Sequence, residues 1–318
     1  DIRFMKDDGE TLLDYWMEEK VYSDYAVFWV KVPSIPANGT ADIYIYYGNP
    51  DAVYDGDGKT TFIKFYDFDI DESDEWALDT GSWEWDTANG YLKLLTSEAE
   101  DRARISGFAV ETGMAIRTRL YMRSSPDARG DAAILFGYQD GSNFYMARPN
   151  TDDEVQLYKK VGGSFTKIGY ISETIDSDTW YILEVAWINA SHVKVFLNNA
   201  LKIDQTTGLE SWTSGDCGVR DYESESWYDW ILVRKYVDPE PSVSAVGGEE
   251  YYLQETTTTI IVGEISAEFL NGDGESLGQI YDAYDTQFYR FRKWPQGYGS
   301  FTYKTVSYTH LRAHETEA

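Results

Sequence analysis

The sequence is poor in cysteine, histidine and long apolar runs, and each shortage excludes a class of protein. Its one cysteine, Cys217, cannot form an internal disulfide framework. It has three histidines, and two of them lie in the last ten residues, so a histidine-based catalytic centre is not expected. No apolar run reaches the ~18–20 residues that a membrane-spanning helix needs, so we expect no membrane insertion within this sequence.

Basic residues are also scarce. The chain has 27 Lys and Arg against 55 Asp and Glu, which gives a formal net charge of −28. Because a nucleic-acid-binding surface needs a basic footprint, nucleic acid is not an expected partner. A strongly negative surface fits a protein exposed to salt, or one that collects divalent cations.

Aromatic residues are abundant, with 26 Tyr, 11 Trp and 14 Phe. They suit pleated sheets, and their rings are also flat platforms for ligands. Between residues 131 and 206, short apolar runs alternate with clusters of turn residues, which is typical of an all-β sandwich or barrel. The predicted strands are Ala132–Tyr138, Asn143–Arg148, Glu154–Lys160, Ser164–Ser172, Thr179–Ile188, His192–Leu197 and Leu201–Gln205.

The N-terminal residues 1–55 predict three further strands, at Ile2–Met5, Tyr25–Val32 and Ala41–Tyr47, with a hairpin-type turn between the last two. Motifs such as Leu12-Leu-Asp-Tyr-Trp16 and Ile45-Tyr-Tyr-Gly-Asn-Pro50 resemble the second half of the domain of unknown function numbered 2341. This resemblance implies a β-rich domain of large archaeal and bacterial surface proteins, and it implies no activity. Residues 51–61 have the composition of a linker.

Residues 62–236 contain the motifs Phe65-Tyr-Asp-Phe-Asp69, Asn143-Phe-Tyr-Met-Ala-Arg148 and Tyr228-Asp-Trp-Ile-Leu-Val233, among others. With these motifs the segment resembles the concanavalin A-like jelly roll, in particular its laminin-G-like group. It implies an all-β, antiparallel sandwich. Such folds serve as lectins, hydrolases and spacers alike, so the fold alone does not imply a function.

The C-terminal part predicts three smaller pieces. Residues 237–250 read as a closing strand or linker, and residues 251–305 as the start of a further β module with a turn at 271–274. Residues 306–318 resemble a translated sequencing adaptor. With a chain that opens on Asp1, this leads us to expect a fragment of a longer surface protein whose other domains are its partners.

The jelly-roll resemblance implies a structural Ca²⁺ ion where the first strand passes the last. Its expected ligands are Asp67, Asp69 and Asp229, together with carbonyl oxygens. Asp67 and Asp69 are two residues apart and share a face of a regular strand. The alternative is that these are solvated acids in a very acidic chain.

Alternation predicts a ligand face. In residues 114–122 and 218–222 the apolar positions belong to the core, so the intervening positions should project outward. The outward set consists of Arg117, Arg119, Tyr121, Arg220 and Tyr222, with Arg148 ending a strand of the same kind. We predict that they share the concave sheet, because arginine forks and tyrosine rings suit sugar hydroxyls, carboxylates and ring faces. The alternative is that the arginines pair with acidic neighbours across strands.

An enzyme is not expected. The jelly-roll glycosidases carry a Glu-x-Asp-x-x-Glu strand, and neither Glu84-Trp-Asp86 nor Glu223-Ser-Glu225 completes it. The sequence therefore predicts a non-catalytic carbohydrate-binding or adhesion module of a prokaryotic cell-surface or secreted protein. The rivals are a ligand-free spacer, in which acidic neighbours consume the outward arginines, and a glycoside hydrolase, with two carboxylates ~5–9 Å apart in a groove.

Overall fold

The computed structural model of the chain describes residues 2–49, 51–95, 100–123, 131–222, 225–243 and 245–250. Beyond these it describes the backbone strands at 267–270, 276–280, 299–304 and 311–314. The chain divides into two compact units. One consists of residues 58–240, and the other of residues 1–57 and 241–318.

The unit that contains the N-terminus begins with four strands. They are β1 (Arg3–Lys6), β2 (Tyr15–Val21), β3 (Tyr25–Val30) and β4 (Asp42–Tyr47). Strand β1 pairs with β4, and β2 pairs with β3. The predicted hairpin between β3 and β4 is therefore wrong. The segment between them holds Pro33 and Pro36, which have no N–H to donate to a ladder, and it carries the chain from one sheet to the other.

The unit formed by residues 58–240 has a one-turn helix, a short 3-10 helix at Ser73–Glu75 and fifteen strands among its described residues. In chain order they are α1 (Gly58–Thr61), β5 (Lys64–Tyr66), β6 (Trp76–Thr80), β7 (Trp83–Asp86), β8 (Tyr91–Leu94), β9 (Asp101–Glu111), β10 (Met114–Met122), β11 (Asp131–Asp140), β12 (Asn143–Asn150), β13 (Glu154–Val161), β14 (Ser164–Ser172), β15 (Thr179–Asn189), β16 (His192–Leu197), β17 (Ala200–Gln205), β18 (Ser214–Tyr222) and β19 (Ser226–Lys235). Each strand predicted between 131 and 206 is present, with bounds that differ by at most two residues.

These strands form two antiparallel sheets. The eight-stranded sheet has the order β17-β16-β15-β10-β19-β8-β7, with β5 also paired to β19, and the seven-stranded sheet has the order β14-β13-β12-β11-β18-β9-β6. One continuous apolar core takes Ile116 and Leu120 from the first sheet, and Ile134 and Val219 from the second. The unit is thus a jelly-roll β-sandwich, as predicted. Because side chains alternate along a strand, each sheet also has an outer face that points away from this core.

Two core positions restrict which residue type fits or how it reacts. Gly137 has φ +57°, and a Cβ there would lie 3.1 Å from both Trp187 and Tyr145, so glycine is needed where β11 bulges. Cys217 on β18 is fully buried, and burial raises the pKa of its thiol to about 12.

The remaining strands are β20 (Ala245–Glu250), β21 (Ala267–Leu270), β22 (Ser276–Ile280), β23 (Gly299–Lys304) and β24 (Leu311–His314). Strand β23 pairs with both β20 and β4, β24 pairs with β3, and β21 pairs with β22. The predicted turn at 271–274 and most of the adaptor-like tail lie outside the described residues. Among the described residues, no helix has the length and apolarity to cross a membrane.

Candidate functional site

The six predicted ligand-binding residues lie on two different sheets. Arg117, Arg119 and Tyr121 belong to β10 in the eight-stranded sheet, whereas Arg148 on β12 and the pair on β18 belong to the seven-stranded sheet. The prediction of one shared face was therefore wrong. Alternation indicates which side chains leave the core, but both sheets of a sandwich have an outer face, and alternation does not indicate which one a strand joins.

Arg117 is buried, and it is not among the residues that line the pocket described below. Only 2% of its surface is exposed, and its Nη1 atom donates to Glu184 Oε2 at 3.3 Å. Its Nη2 atom donates to Asn199 Oδ1 at 2.6 Å. Glu184 also accepts a hydrogen bond of 2.7 Å from the buried Arg234. Arg117 is thus part of a buried ion network that links neighbouring strands.

Tyr121 and Arg119 belong to a cluster of four half-buried rings on the outer face of the eight-stranded sheet. The Tyr121 ring stacks on Trp227 with centroids 4.8 Å apart, and Trp227 also stacks on Tyr91 at 5.9 Å. Trp180 contacts Tyr121 at 5.2 Å, and the Arg119 guanidinium lies 4.4 Å from the Trp180 centroid. These contacts between neighbouring strands stabilise the sheet, and each of the four rings already has another ring as a neighbour.

A pocket of about 320 Å³ lies on the outer face of the seven-stranded sheet. This volume is at the lower end of the range of small-molecule pockets, roughly 300–1,000 Å³. The pocket contains the other three predicted residues and seven that the sequence did not indicate. Its lining is Glu100, Asp131, Met146, Arg148, Asn150, Asp152, Tyr158, Phe165, Arg220 and Tyr222.

The register of the sheet brings the polar residues of the pocket together. Asp131 on β11 stands opposite Asn150 on one side and opposite Tyr222 on the other. Arg148 stands opposite Gln156 on β13, and Arg220 opposite Ala133 on β11. Two arginines from strands on either side of β11 therefore reach the same carboxylate.

Beneath these groups lies a second apolar cluster that the sequence analysis missed. Ala133, Leu135, Phe144 and Met146 are buried on the outer face, and Tyr138 and Tyr158 pack against them. The signal was present, because Ala132–Phe136 is apolar at every position. A strand that is covered on one face only would alternate, so this run indicates that both faces of β11 are covered.

The centre of the pocket is a buried carboxylate between two guanidinium groups. Asp131 is 1% exposed; it forms an ion pair with Arg148, and its Oδ1 atom lies 3.1 Å from Arg220 Nη1. Arg148 Nε also donates to Gln156 Oε1 at 2.8 Å. Burial, and then the charge of Arg220, lower the pKa of Arg148 to about 10, and burial lowers the pKa of Arg220. Both guanidinium groups thus lie where water is largely excluded, next to a carboxylate that offsets part of their charge.

A second group of charges and rings completes the pocket. Glu100 accepts hydrogen bonds from Lys160 at 2.7 Å and from Arg102 at 3.3 Å. Lys160 Nζ lies 4.6 Å from the centroid of Phe165, whose side chain is partly exposed. Arg220 lies 5.3 Å from the Tyr222 ring. The pocket thus combines fixed cations with aromatic side walls.

The three predicted calcium ligands lie near enough to act on one another electrostatically. Burial and the charge of Asp67 raise the pKa of Asp69. The pKa of Asp229 is raised by burial, lowered by its bond to Arg119, and raised by Asp69 and Asp67. Gly90, with φ +70°, brings its turn so close that a Cβ would lie 2.6 Å from Asp69 Oδ1. Negative charge is thus concentrated beside a turn that only glycine fits.

This donor set suits Ca²⁺ in chemistry, because carboxylate and carbonyl oxygens are the ligands that this ion prefers. Among the residues that the structure describes, however, no group of three or more His, Cys, Asp or Glu side chains is arranged to hold a metal ion. A calcium ion at Asp67, Asp69 and Asp229 would therefore depend on backbone carbonyl oxygens as well. Calcium binding stays a prediction.

If Ca²⁺ binds here, it is expected to raise the melting temperature of the full chain. A ligand present at 100 times its Kd stabilises the folded state by about 2.7 kcal/mol. Asp69→Asn should raise the melting temperature in EDTA, because it removes a carboxylate whose charged form the fold disfavours, and it should abolish the response to Ca²⁺. Thermal unfolding in CaCl₂ and in EDTA measures both effects. Asp74→Asn, which removes one exposed charge outside the cluster, is the control. Equal melting temperatures of the unsubstituted chain in CaCl₂ and EDTA would contradict the prediction.

The N-terminal part of the chain is similar to a known family. Residues 1–87 match the model of a domain of unknown function, DUF2341. This match confirms the resemblance seen in residues 1–55. A protein of Methanocaldococcus jannaschii, described as uncharacterized, is 25% identical over 282 residues, which cover 80% of this chain and 50% of that protein. The chain therefore spans about half the length of the curated relative that it matches.

Solved structures similar to this chain include a carbohydrate-binding module, a galectin-like protein and a β-glucanase. The carbohydrate-binding module CBM66 of Bacillus subtilis is 20% identical, covers 51% of this chain and 96% of its own, and superposes with a TM-score of 0.46. A B. subtilis protein of unknown function with a galectin-like fold is 14% identical. The match covers 55% of this chain and 96% of that protein, with a TM-score of 0.46. A β-glucanase of Bacillus licheniformis is also 14% identical. The match covers 54% of this chain and 97% of the glucanase, with a TM-score of 0.42. We draw no function from these likenesses.

Proposed function

We propose that this chain is a non-catalytic carbohydrate-binding module and that its ligand occupies the pocket on the seven-stranded sheet. One observation carries the proposal. Arg148 and Arg220 are held by the buried Asp131 beside the rings of Tyr158 and Tyr222. This combination of fixed hydrogen-bond donors with aromatic side walls suits a molecule that is polar at its edge and apolar on its faces, as a sugar ring is.

The ion pairs prepare the pocket for binding. A guanidinium group has five N–H donors in a rigid fork, so an arginine that donates to Asp131 keeps further donors in a fixed orientation. Because the fold has already ordered these side chains, a ligand pays little entropy to engage them. The aromatic walls then cover the C–H face of a sugar ring.

The second candidate function is that of a structural spacer without a ligand. A specific observation favours it, because acidic partners are present for every arginine that we predicted to face outward. The pairs are Arg117–Glu184, Arg119–Asp229, Arg148–Asp131 and Arg220–Asp131. Binding measurements decide between the two candidates.

The pocket gives less support to glycoside hydrolysis. A glycosidase needs one carboxylic acid that can protonate the leaving group. Two cations hold Asp131, and two others hold Glu100, so both carboxylates already have partners within the protein. A location on the cell surface or outside the cell remains part of the proposal.

Screening the full chain on a glycan array tests the proposed function. We expect binding, and we expect Phe165→Ala to weaken it about tenfold, which corresponds to about 1.4 kcal/mol, because one wall of the pocket is lost. Tyr170→Ala is the matched control, since Tyr170 is an exposed ring on the same strand but outside the pocket lining. Absence of binding to any glycan would favour the spacer, and equal losses in both variants would contradict a ligand site in this pocket.

A further inference from the structure

The charges that line the pocket on the seven-stranded sheet nearly balance. The carboxylates of Glu100, Asp131 and Asp152 stand among its lining residues with the guanidinium groups of Arg148 and Arg220. Asp131 pairs with both arginines. The carboxylates would repel an anion and the guanidinium groups would repel a cation, so a charged ligand of either sign is opposed here as well as attracted.

The side-chain amide of Asn150, the last residue of β12, is fixed in this pocket by one hydrogen bond. Its Oδ1 atom accepts from the backbone N–H of Asp152 at 2.6 Å. Because a backbone N–H can only donate, this bond determines which amide atom is the oxygen and which is the nitrogen. Asn150 is 6% exposed, so its amide has lost most of its contact with water.

The Nδ2 atom of the same amide has hydrogens to donate and no acceptor among the residues that the structure describes. Within those residues it is also not one of the fully buried polar atoms that lack a partner. It is therefore accessible from the pocket. Leaving a largely buried donor unpaired is costly, so a ligand atom that accepts from Nδ2 would be correspondingly favourable.

Asp152 supplies acceptors in the same short turn. It is exposed, it lines the pocket, and Asn150 holds its backbone N–H. Its carboxylate forms no ion pair or hydrogen bond within the described part of the chain. One turn thus presents a donor and two acceptor oxygens to the pocket. Hydroxyl groups match this combination, because each hydroxyl can both donate and accept.

We propose that the sugar unit bound in this pocket is uncharged and that Asn150 and Asp152 select it through its hydroxyl groups; this inference rests on the proposed function. One hydroxyl oxygen accepts from Asn150 Nδ2, and another hydroxyl donates to the Asp152 carboxylate. A carboxylate on the sugar has only acceptors and meets the negative charge of Asp152. A free ammonium group has only donors and meets the guanidinium groups of Arg148 and Arg220.

A glycan array that carries neutral, carboxylated, sulfated and amino sugars tests the charge of the ligand on the full chain. We expect the tightest binder to be neutral, and its affinity to be nearly independent of salt, because salt screens only charge. Counterparts of that glycan with a carboxylate or a free amine in place of one hydroxyl-bearing group should bind about tenfold more weakly or worse. A charged glycan as tightest binder would overturn the uncharged ligand and leave the carbohydrate function standing. Binding to no glycan would overturn both.

Variants at Asn150 test its part in the contact. Asn150→Asp keeps the oxygen that holds the Asp152 N–H and removes the donor, so affinity for the neutral glycan should fall about tenfold. Asn150→Ser should cause a similar loss, because its hydroxyl can hold the same N–H but is too short to replace Nδ2. Melting temperatures show that both variants are folded. Unchanged affinity in either folded variant would overturn the contact.

Asn198→Asp is the matched control for these variants. The Oδ1 atom of Asn198 also accepts from a backbone N–H, that of Ile182 at 2.9 Å, in a turn outside the pocket lining. The substitution should therefore leave glycan affinity unchanged. Equal losses in the variants at the two asparagines would attribute the effect to added negative charge and overturn a contact at Asn150.

Asp152→Asn is expected to act in opposite directions on two ligands. It should weaken binding of the neutral glycan about threefold, because one acceptor oxygen becomes a donor, and it should strengthen binding of the carboxylated counterpart, because a repelling charge is removed. Asp74→Asn should change neither affinity. A purely structural role of Asp152 would move both affinities in the same direction, and that result would overturn the selection by Asp152.

Discussion

Asp131→Asn is expected to lower the free energy of unfolding of the sandwich by about 3–5 kcal/mol, because it leaves the buried Arg220 and the partly buried Arg148 without their shared carboxylate. The asparagine can still accept one hydrogen bond but cannot offset either charge. For a domain whose total stability is ~5–15 kcal/mol, this is a large share. Urea unfolding at low temperature, followed by tryptophan fluorescence, measures the loss.

The same substitution should abolish glycan binding, because Arg148 and Arg220 lose the group that fixes their orientation. Binding is measured below the melting temperature of the variant, so that an unfolded population does not imitate the loss. A change of less than 1 kcal/mol in stability would show that the two arginines find other partners, and the account of the pocket would then be wrong.

Glu184→Gln is expected to cost as much stability, about 3–5 kcal/mol, for the same physical reason on the other sheet. Glu184 is 4% exposed and lies between Arg117 and Arg234, which are themselves buried. Arg234 keeps a partial partner in Glu240 at 2.7 Å, so the loss should fall toward the lower end of this range. Urea unfolding again measures it.

Glu184→Gln is also the matched control for Asp131→Asn. Both replace a buried carboxylate between two arginines, but only Asp131 lines the pocket. Glu184→Gln should therefore leave glycan affinity unchanged while it lowers stability. Equal loss of binding in both variants would mean that binding tracks stability and that the pocket has no specific role.

Sequence periodicity predicted the fold and the local orientation of side chains well. On β10 it placed Ile116 and Leu120 in the core and Arg117 and Arg119 outside, as the structure does. On β18 it placed Val219 inside and Arg220 outside. These predictions succeed because a strand has a fixed period of two and one face must meet the core.

Periodicity could not predict which strands become neighbours. The site depends on β12 and β18 flanking β11, a long-range arrangement that local pattern does not encode. Asp131 illustrates this limit. Nothing in the local sequence distinguishes it from the many other acidic residues, and only the pairing of β11 with β12 and β18 places it between Arg148 and Arg220. Phe165 was missed for the same reason. It lies on the edge strand β14, and it joins the pocket only because β14 pairs with β13.

The buried thiol of Cys217 is a built-in probe of the opening of the sandwich. It is the sole cysteine of the sequence, and its thiol is shielded within the core shared by both sheets. A thiol reagent can therefore modify the native protein only when the sandwich opens, and with fast reclosing the labelling rate follows the open fraction. One mass-spectrometric time course can thus rank the variants by stability without any dye, tag or denaturant.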